Sequence, residues 1–105
     1  MEEEELYKYK ITYSSQFKKD YKRFENDEKK IVKIDHTIDL LRQNGQHSIP
    51  IQMKPHPLKG NYKGYLECHI ESDLLIIWVE IDDDTKEIYL ARLGSHSELF
   101  GKKKR

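Results

Sequence analysis

A chain of 105 residues has room for one hydrophobic core, which excludes a large cofactor-binding architecture and predicts a single domain over 1–105. Hydrophobic and charged residues each make up 36%, a polar balance, yet the apolar positions fall in periodic blocks, which excludes a disordered chain. Nineteen basic residues offset nineteen acidic ones, so no net field draws the molecule to nucleic acid or membrane, and any site for a polyanion has to be local.

The charged ends, 1–5 with four glutamates and 102–105 with four bases, flank a core expected over about 6–101. Tyr7, Tyr9, Ile11 and Tyr13 alternate with Lys8, Lys10 and Thr12, the period of a half-buried strand. Ser14 and Ser15 offer N-cap hydroxyls to a short helix in which Phe17, Tyr21 and Phe24 share a face, ending near Asn26. Asp27 caps a second helix with Ile31, Ile34, Ile38 and Leu41 on one stripe and Gly45 at its end, so the two helices form a hairpin. Residues 46–60 carry Pro50, Pro55 and Pro57 and read as an irregular connection.

After Gly64, residues 65–70 alternate, with Leu66, Cys68 and Ile70 on one face and Tyr65, Glu67 and His69 on the other. Residues 74–81 are almost continuously apolar, as in a strand covered on both faces. A turn at 82–85 leads to a last strand over 87–93. The order β-α-α-β-β-β predicts an α+β fold, a helical hairpin packed on one face of a mainly antiparallel, twisted sheet.

The single cysteine, Cys68, excludes an internal disulfide and alternates with core residues, which fits a reducing compartment. The acidic start is unlike an export signal, and the apolar run at 74–79 is far short of the ~20 residues of a membrane helix. A soluble, cytoplasmic protein without a membrane partner is expected.

Of five histidines, His36 and His47 fall on an exposed helix side and in a loop, whereas His56, His69 and His96 gather with Asp73 and Arg92 in the second half of the chain. The separations of 13 and 27 residues between these three histidines contain no short chelating pair, so neither a metal nor another cofactor is expected. Neither a nucleophilic-serine elbow nor a phosphate-binding P-loop is present. Acid–base chemistry remains. RNA carries its own nucleophile, the 2′-hydroxyl, and its cleavage needs a base for that proton, an acid for the leaving 5′-oxygen and a cation for the phosphate. His, a second His or Asp, and Arg suffice; Lys54, Lys59, Lys63 and the basic tail add local attraction, and Tyr62, Tyr65 or Phe100 offers a stacking ring.

The residues His56-Pro57-Leu58-Lys59-Gly60, Gly64-Tyr65, Cys68-His69-Ile70, Asp73 with Leu74 to Ile77, and Arg92 through His96 and Phe100 to Gly101 together resemble the YafQ branch of the RelE/ParE toxin superfamily. The resemblance covers about 7–101, and its second half is the specific one. It implies a type II toxin and mRNA interferase, an endoribonuclease that cuts mRNA in the A site of the 70S ribosome. It also implies inhibition by a cognate antitoxin of the DinJ-like, ribbon-helix-helix kind, with DNA met only through that antitoxin. By position, His56, His69, Asp73 and His96 match the family's catalytic set, and Arg92 and Phe100 match residues that hold phosphate and base. On that basis His96 is the general acid, Asp73 or His69 the base or its orienting partner, and His56 a proton or phosphate contact.

Two departures stand out. Leu74 occupies a position where members of the branch can carry tryptophan, and the chain is neutral where such toxins are usually basic, so ribosome affinity should depend on a local patch and fall as salt rises. The alternative readings are a non-catalytic inhibitor on the same scaffold, as in ParE-like action on gyrase, and a degenerate toxin acting only as a binding module. A set of three histidines and an aspartate has no physical purpose in a non-catalytic inhibitor.

Overall fold

The computed structural model describes residues 7–101; the acidic run at 2–5 and the basic run at 102–105 lie outside them. The elements are β1 (Lys10–Tyr13), α1 (Ser15–Lys22), α2 (Glu28–Asn44), β2 (His56–Pro57), β3 (Leu66–Glu71), β4 (Leu74–Ile81), β5 (Glu87–Gly94) and α3 (His96–Phe100), with single 3-10 turns between α2 and β3. One five-stranded sheet has the order β1-β5-β4-β3-β2, with β1 parallel to β5 and every other pair antiparallel.

The helices begin where their caps are. The Ser14 hydroxyl accepts the Phe17 N–H at 2.8 Å and the Asp27 carboxylate accepts that of Lys30 at 3.2 Å, each satisfying a donor that the first turn leaves unpaired. Gly45 closes α2 at a φ of 58°, where a Cβ would strike the Glu80 carboxylate within 3 Å, so only glycine fits. The first helix is shorter than its apolar spacing predicts: α1 stops at Lys22, and Phe24 reaches the core from a turn. The first strand is shorter too. Its partner β5 begins at Glu87 opposite Lys10, and the preceding Lys8 and Tyr9 instead donate their N–H groups to the carbonyls of Gln43 and Arg42 at the end of α2.

Two elements escaped the sequence periodicities. The pair His56–Pro57 is too short to show alternation, yet it forms a strand beside Leu66 and Glu67. The five-residue α3 was hidden behind a strand end, although Ser95 and Glu98 stand three apart in the pattern of a capping box.

The sheet is buried on both faces. Against the α1–α2 side pack Tyr9, Phe17, Ile34, Leu41, Leu74, Ile76, Trp78, Ile88, Leu90 and Leu93. On the other side Leu75, Ile77 and Ala91 are covered by Leu99 of α3 and by Leu58, Tyr62, Tyr65 and Tyr89. This explains the continuous apolar run of β4, every residue of which from Leu74 to Trp78 is buried. Trp78 is fully buried and its indole N–H donates to Glu80 at 3.1 Å, so truncation to alanine is expected to cost about 3–5 kcal/mol. A bulge sets Ile77 opposite Arg92 but Trp78 opposite Leu90, which leaves Ala91 as the extra residue; Ile88 and Leu90 before it and Leu93 after it therefore all face the helices.

Beyond Tyr13 the edge of β5 has no strand partner among the described residues, and α1 takes over. The backbone N–H of Ser14 donates to Leu90 and its hydroxyl to the Ala91 carbonyl, while Asp20, 1% exposed, accepts the Leu93 N–H at 2.9 Å. The same carboxylate accepts Arg92 Nε at 2.8 Å and is approached by Gln16 and Arg23. Burial pushes the Asp20 pKa up, but the donors from Arg92, Leu93 and Gln16 outweigh it, and the group is held below the ordinary carboxylate value.

Asp20→Ala would strand the Leu93 N–H and the Arg92 guanidinium, with an expected loss of about 2–4 kcal/mol in chemical denaturation. Because the folded pKa is depressed, that contribution is complete above the unfolded value of roughly 3.9 and fades as pH falls through the folded one. The stability gap between wild type and Asp20→Ala should accordingly be full at neutral pH and narrow in acid; a gap independent of pH would contradict the ionised state of Asp20.

Candidate active site

The antiparallel pairing of β4 with β5 decides where the histidines meet. Leu75 lies opposite Gly94, so Asp73, just ahead of β4, arrives beside His96, just past β5. The turn between Gly94 and His96 is fixed by a reciprocal cap. Ser95 Oγ accepts the Glu98 N–H at 3.2 Å, and Glu98 Oε1 accepts the Ser95 N–H at 2.8 Å. Gly94 makes room for that carboxylate, since a Cβ would come within 2.6 Å of Glu98 Oε1, and Arg23 on the loop after α1 pairs with its other oxygen at 2.6 Å.

His96 is thus the first residue of α3, where a backbone N–H has no partner inside the helix. Asp73 Oδ1 accepts that N–H at 3.0 Å and the ring Nδ1–H at 3.2 Å. These two bonds hold the Asp73 carboxyl below its ordinary pKa, the backbone donor contributing most. Both side chains stay open to solvent, at 55% and 66% exposure. With Nδ1 engaged, Nε2 is the nitrogen that His96 offers to a ligand.

His69 lies across the same face of the sheet, its ring centroid 5.6 Å from that of His96. Phe100, one turn along α3, stands 6.1 Å from His96 and 5.4 Å from Tyr62, which meets Tyr65 edge-on at 5.6 Å. The Tyr62 hydroxyl donates to the Leu99 carbonyl at 3.4 Å, tying the loop before β3 to α3. Leu74 takes no part. Its side chain is buried on the helix side of the sheet, and the aromatic rings near the histidines come from Phe100 and Tyr62.

The remaining expected residues are placed around this cluster rather than in it. His56 sits on β2 opposite Glu67, two residues before His69 on the same strand face. Its Nε2 is 3.1 Å from Glu67 Oε1. Arg92 is held by Asp20 at the edge of β5, and that neighbour keeps its guanidinium firmly charged; the Tyr62 hydroxyl adds to the effect. Lys59 and Lys63 are exposed at the two ends of the turn that carries Tyr62. Cys68 points into the helix-side core, where burial pushes its thiol up to about 12, so it is no nucleophile. His36 and His47 are exposed and remote.

Asp20, Glu67 and Tyr62 matter more than the sequence indicated. Asp20 stands three residues from Phe17, on the apolar stripe of α1, where a charged residue is a sign of a buried partner. Glu67 shares a face of β3 with Tyr65 and His69, as the alternation predicts, but that face is covered by a second apolar cluster, and the burial of Glu67 at 3% exposure is something no periodicity shows. A groove of about 460 Å³ also lies between β1, α1 and α2, but Tyr13, Phe17, Tyr21, Ile38 and the charged residues lining it include no histidine.

The sequence and the fold have known counterparts. Residues 9–101 match the family described as bacterial toxin of type II toxin–antitoxin system, YafQ. The chain is 36% identical to the mRNA interferase toxin YafQ of Escherichia coli K12 over 91 residues, 87% of this chain and 95% of that protein. A putative toxin YafQ of Haemophilus influenzae is 34% identical over 97 residues, 85% of this chain and 89% of that one. The crystal structure of YafQ from E. coli BL21(DE3) superposes with a TM-score of 0.78 at 34% identity, covering 89% and 99% of the two chains. YafQ in the E. coli DinJ–YafQ complex gives 0.75 at 35% identity with the same coverage. A YoeB/ParE toxin from Agrobacterium tumefaciens, 19% identical with a TM-score of 0.71, shares the fold over 83% of this chain and 98% of its own. The chain belongs to the YafQ family of bacterial type II toxins.

Proposed function

We propose that this protein is a ribosome-dependent endoribonuclease that cuts mRNA in the ribosomal A site and is held inactive by a cognate, DinJ-like antitoxin. The observation that carries the reading is the Asp73–His96 pair with the His69 ring 5.6 Å from it on an open face. A binding module has no use for an exposed imidazole whose one nitrogen is fixed by a carboxylate and whose other is free.

The roles follow from the hydrogen bonds. Asp73 accepts two donors from His96 and has a depressed pKa, which makes it a weak base and a good orienting group. The base for the 2′-hydroxyl is then His69, and His96 Nε2 delivers the proton to the departing 5′-oxygen. The 2′-oxygen bonds to phosphorus as the 5′-oxygen leaves, giving a cyclic phosphate. Arg92, fixed by Asp20, faces the charge that builds on the phosphate, and Phe100 with Tyr62 offers rings to an unpaired base. A site this open does little to hold RNA in line, and the ribosome supplies that alignment, which can be worth several kcal/mol. The antitoxin reading is supported by the relative seen bound to DinJ.

Cleavage of a defined mRNA on programmed ribosomes by purified protein tests this. His96→Ala should lower the rate about 10²-fold or more while the circular dichroism spectrum is unchanged. Asp73→Asn should also lower it by a large factor, since an amide can hold the ring in place but no longer stabilises the imidazolium that delivers the proton. Wild-type cleavage by a folded His96→Ala variant would overturn the assignment.

A further inference from the structure

One side chain outside the histidine cluster touches both of the carboxylates that fix Arg92 and the turn carrying His96. Arg23, in the turn after α1, reaches Asp20 with Nη1 at 3.3 Å and Glu98 with Nη2 at 2.6 Å. Asp20 is the group that holds Arg92, and Glu98 closes the cap ahead of His96. Two contacts of this kind use the fork of a guanidinium, whose nitrogens can serve separate acceptors. The same guanidinium lies 5.3 Å from the centre of the Phe24 ring, which limits its movement. Between Lys22 and Phe24 it reads in the sequence as one more basic residue at a helix end.

The helix α3 depends on such a brace. Its five residues make little more than one turn, too short to stand on internal hydrogen bonds. Those bonds run from the Leu99 N–H to the Ser95 carbonyl at 3.0 Å and from the Gly101 N–H to the Ser97 carbonyl at 2.9 Å. Leu99 is buried in the second apolar cluster and pins the helix at one point. A second point sets how the helix is turned about that pin, and Glu98 supplies it: Oε1 accepts the Ser95 N–H and Oε2 is paired with Arg23. The Ser95 N–H first, and then the charge of Arg23, hold the Glu98 carboxyl below its ordinary pKa. With both side chains more than two-fifths exposed, the pair adds little to global stability. What it fixes is the orientation of the turn that carries His96.

We propose that Arg23 is a positioning residue: by joining Glu98 to Asp20 it fixes α3, and so the placement of His96 relative to Arg92, without touching RNA itself. The proposal rests on the reading of this face as an RNA-cleaving site.

Two variants of the full chain test it. Arg23→Met keeps an unbranched stem beside Phe24 and removes the fork, whereas Glu98→Gln keeps a side chain able to close the capping box and removes the charge that Arg23 pairs with. On programmed ribosomes each should lower kcat about tenfold with KM for ribosomes unchanged, and the double variant should fall no further. The salt dependence of kcat/KM should keep its wild-type slope. A raised KM with a shallower slope would make Arg23 a phosphate contact, and losses that multiply in the double variant would route its effect away from Glu98; either would overturn the proposal. Amide hydrogen exchange reads the brace without reference to activity. At Leu99 and Gly101 it should be about tenfold faster in Arg23→Met, while Ile76 and Trp78 of β4 exchange as in the wild type. Unchanged exchange in α3 would equally overturn the proposal. If Arg23→Met does not fold, the same exchange and kcat measurements on Glu98→Gln decide. Absence of cleavage by the wild type would remove the proposed function itself, and the exchange rates would still decide whether Arg23 braces α3.

Discussion

The register of β4 against β5 is the constraint on which the site depends. Because Leu75 pairs with Gly94, residues 23 apart in sequence, Asp73 and His96, come within hydrogen-bond distance. A slip of one residue would turn the alternation over and send Leu75 and Ile77 to the wrong face. The register is fixed from both sides: Trp78, Ile76 and Leu74 fill the space under α1 and α2, while Leu75 and Ile77 lie under Leu99 and the loop tyrosines. The Ala91 bulge then re-phases β5 so that Leu93 returns to the helix-side core while Arg92 reaches Asp20 at the edge.

Two buried carboxylates link this architecture to its chemistry. Asp20 ends the sheet where no strand continues, and its second task is to hold Arg92. Glu67 lies in the middle of the second face, next to Ile77 in the pairing, and holds His56. In each case an acid that a purely stable fold would replace by an apolar residue is kept, and a basic side chain is fixed beside it. Asp73 is the exposed version of the same device. Its two bonds to His96 cost little desolvation, since both side chains are more than half exposed.

Much of this was legible in the sequence. The alternation of 65–70, the apolar run of 74–81 and the i, i+3, i+4 stripes of α2 gave strands and helices within a few residues, because one-sided or two-sided burial imposes those periods. The second-half motifs pointed to His56, His69, Asp73, Arg92, His96 and Phe100, and the structure draws His69, Asp73, His96 and Phe100 into one cluster. What stayed hidden is what depends on pairing partners. The two-residue β2 has no period of its own, α3 announces itself only by Ser95 and Glu98, and the burial of Asp20 and Glu67 is imposed by neighbours far along the chain. Leu74 illustrates the opposite case: the missing tryptophan raised a question about stacking, and the strand's alternation places that side chain among the helices instead.

The central claim of the proposed mechanism is that one histidine takes the proton of the RNA's own attacking 2′-hydroxyl while another gives a proton to the leaving 5′-oxygen. The chemistry of the cut ends tests it most directly. After cleavage of mRNA on programmed ribosomes, the account predicts a 2′,3′-cyclic phosphate, or the 3′-phosphate it hydrolyses to, on one fragment and a 5′-hydroxyl on the other. A 3′-hydroxyl paired with a 5′-phosphate would show that water, and not the 2′-hydroxyl, was the nucleophile, and would contradict it.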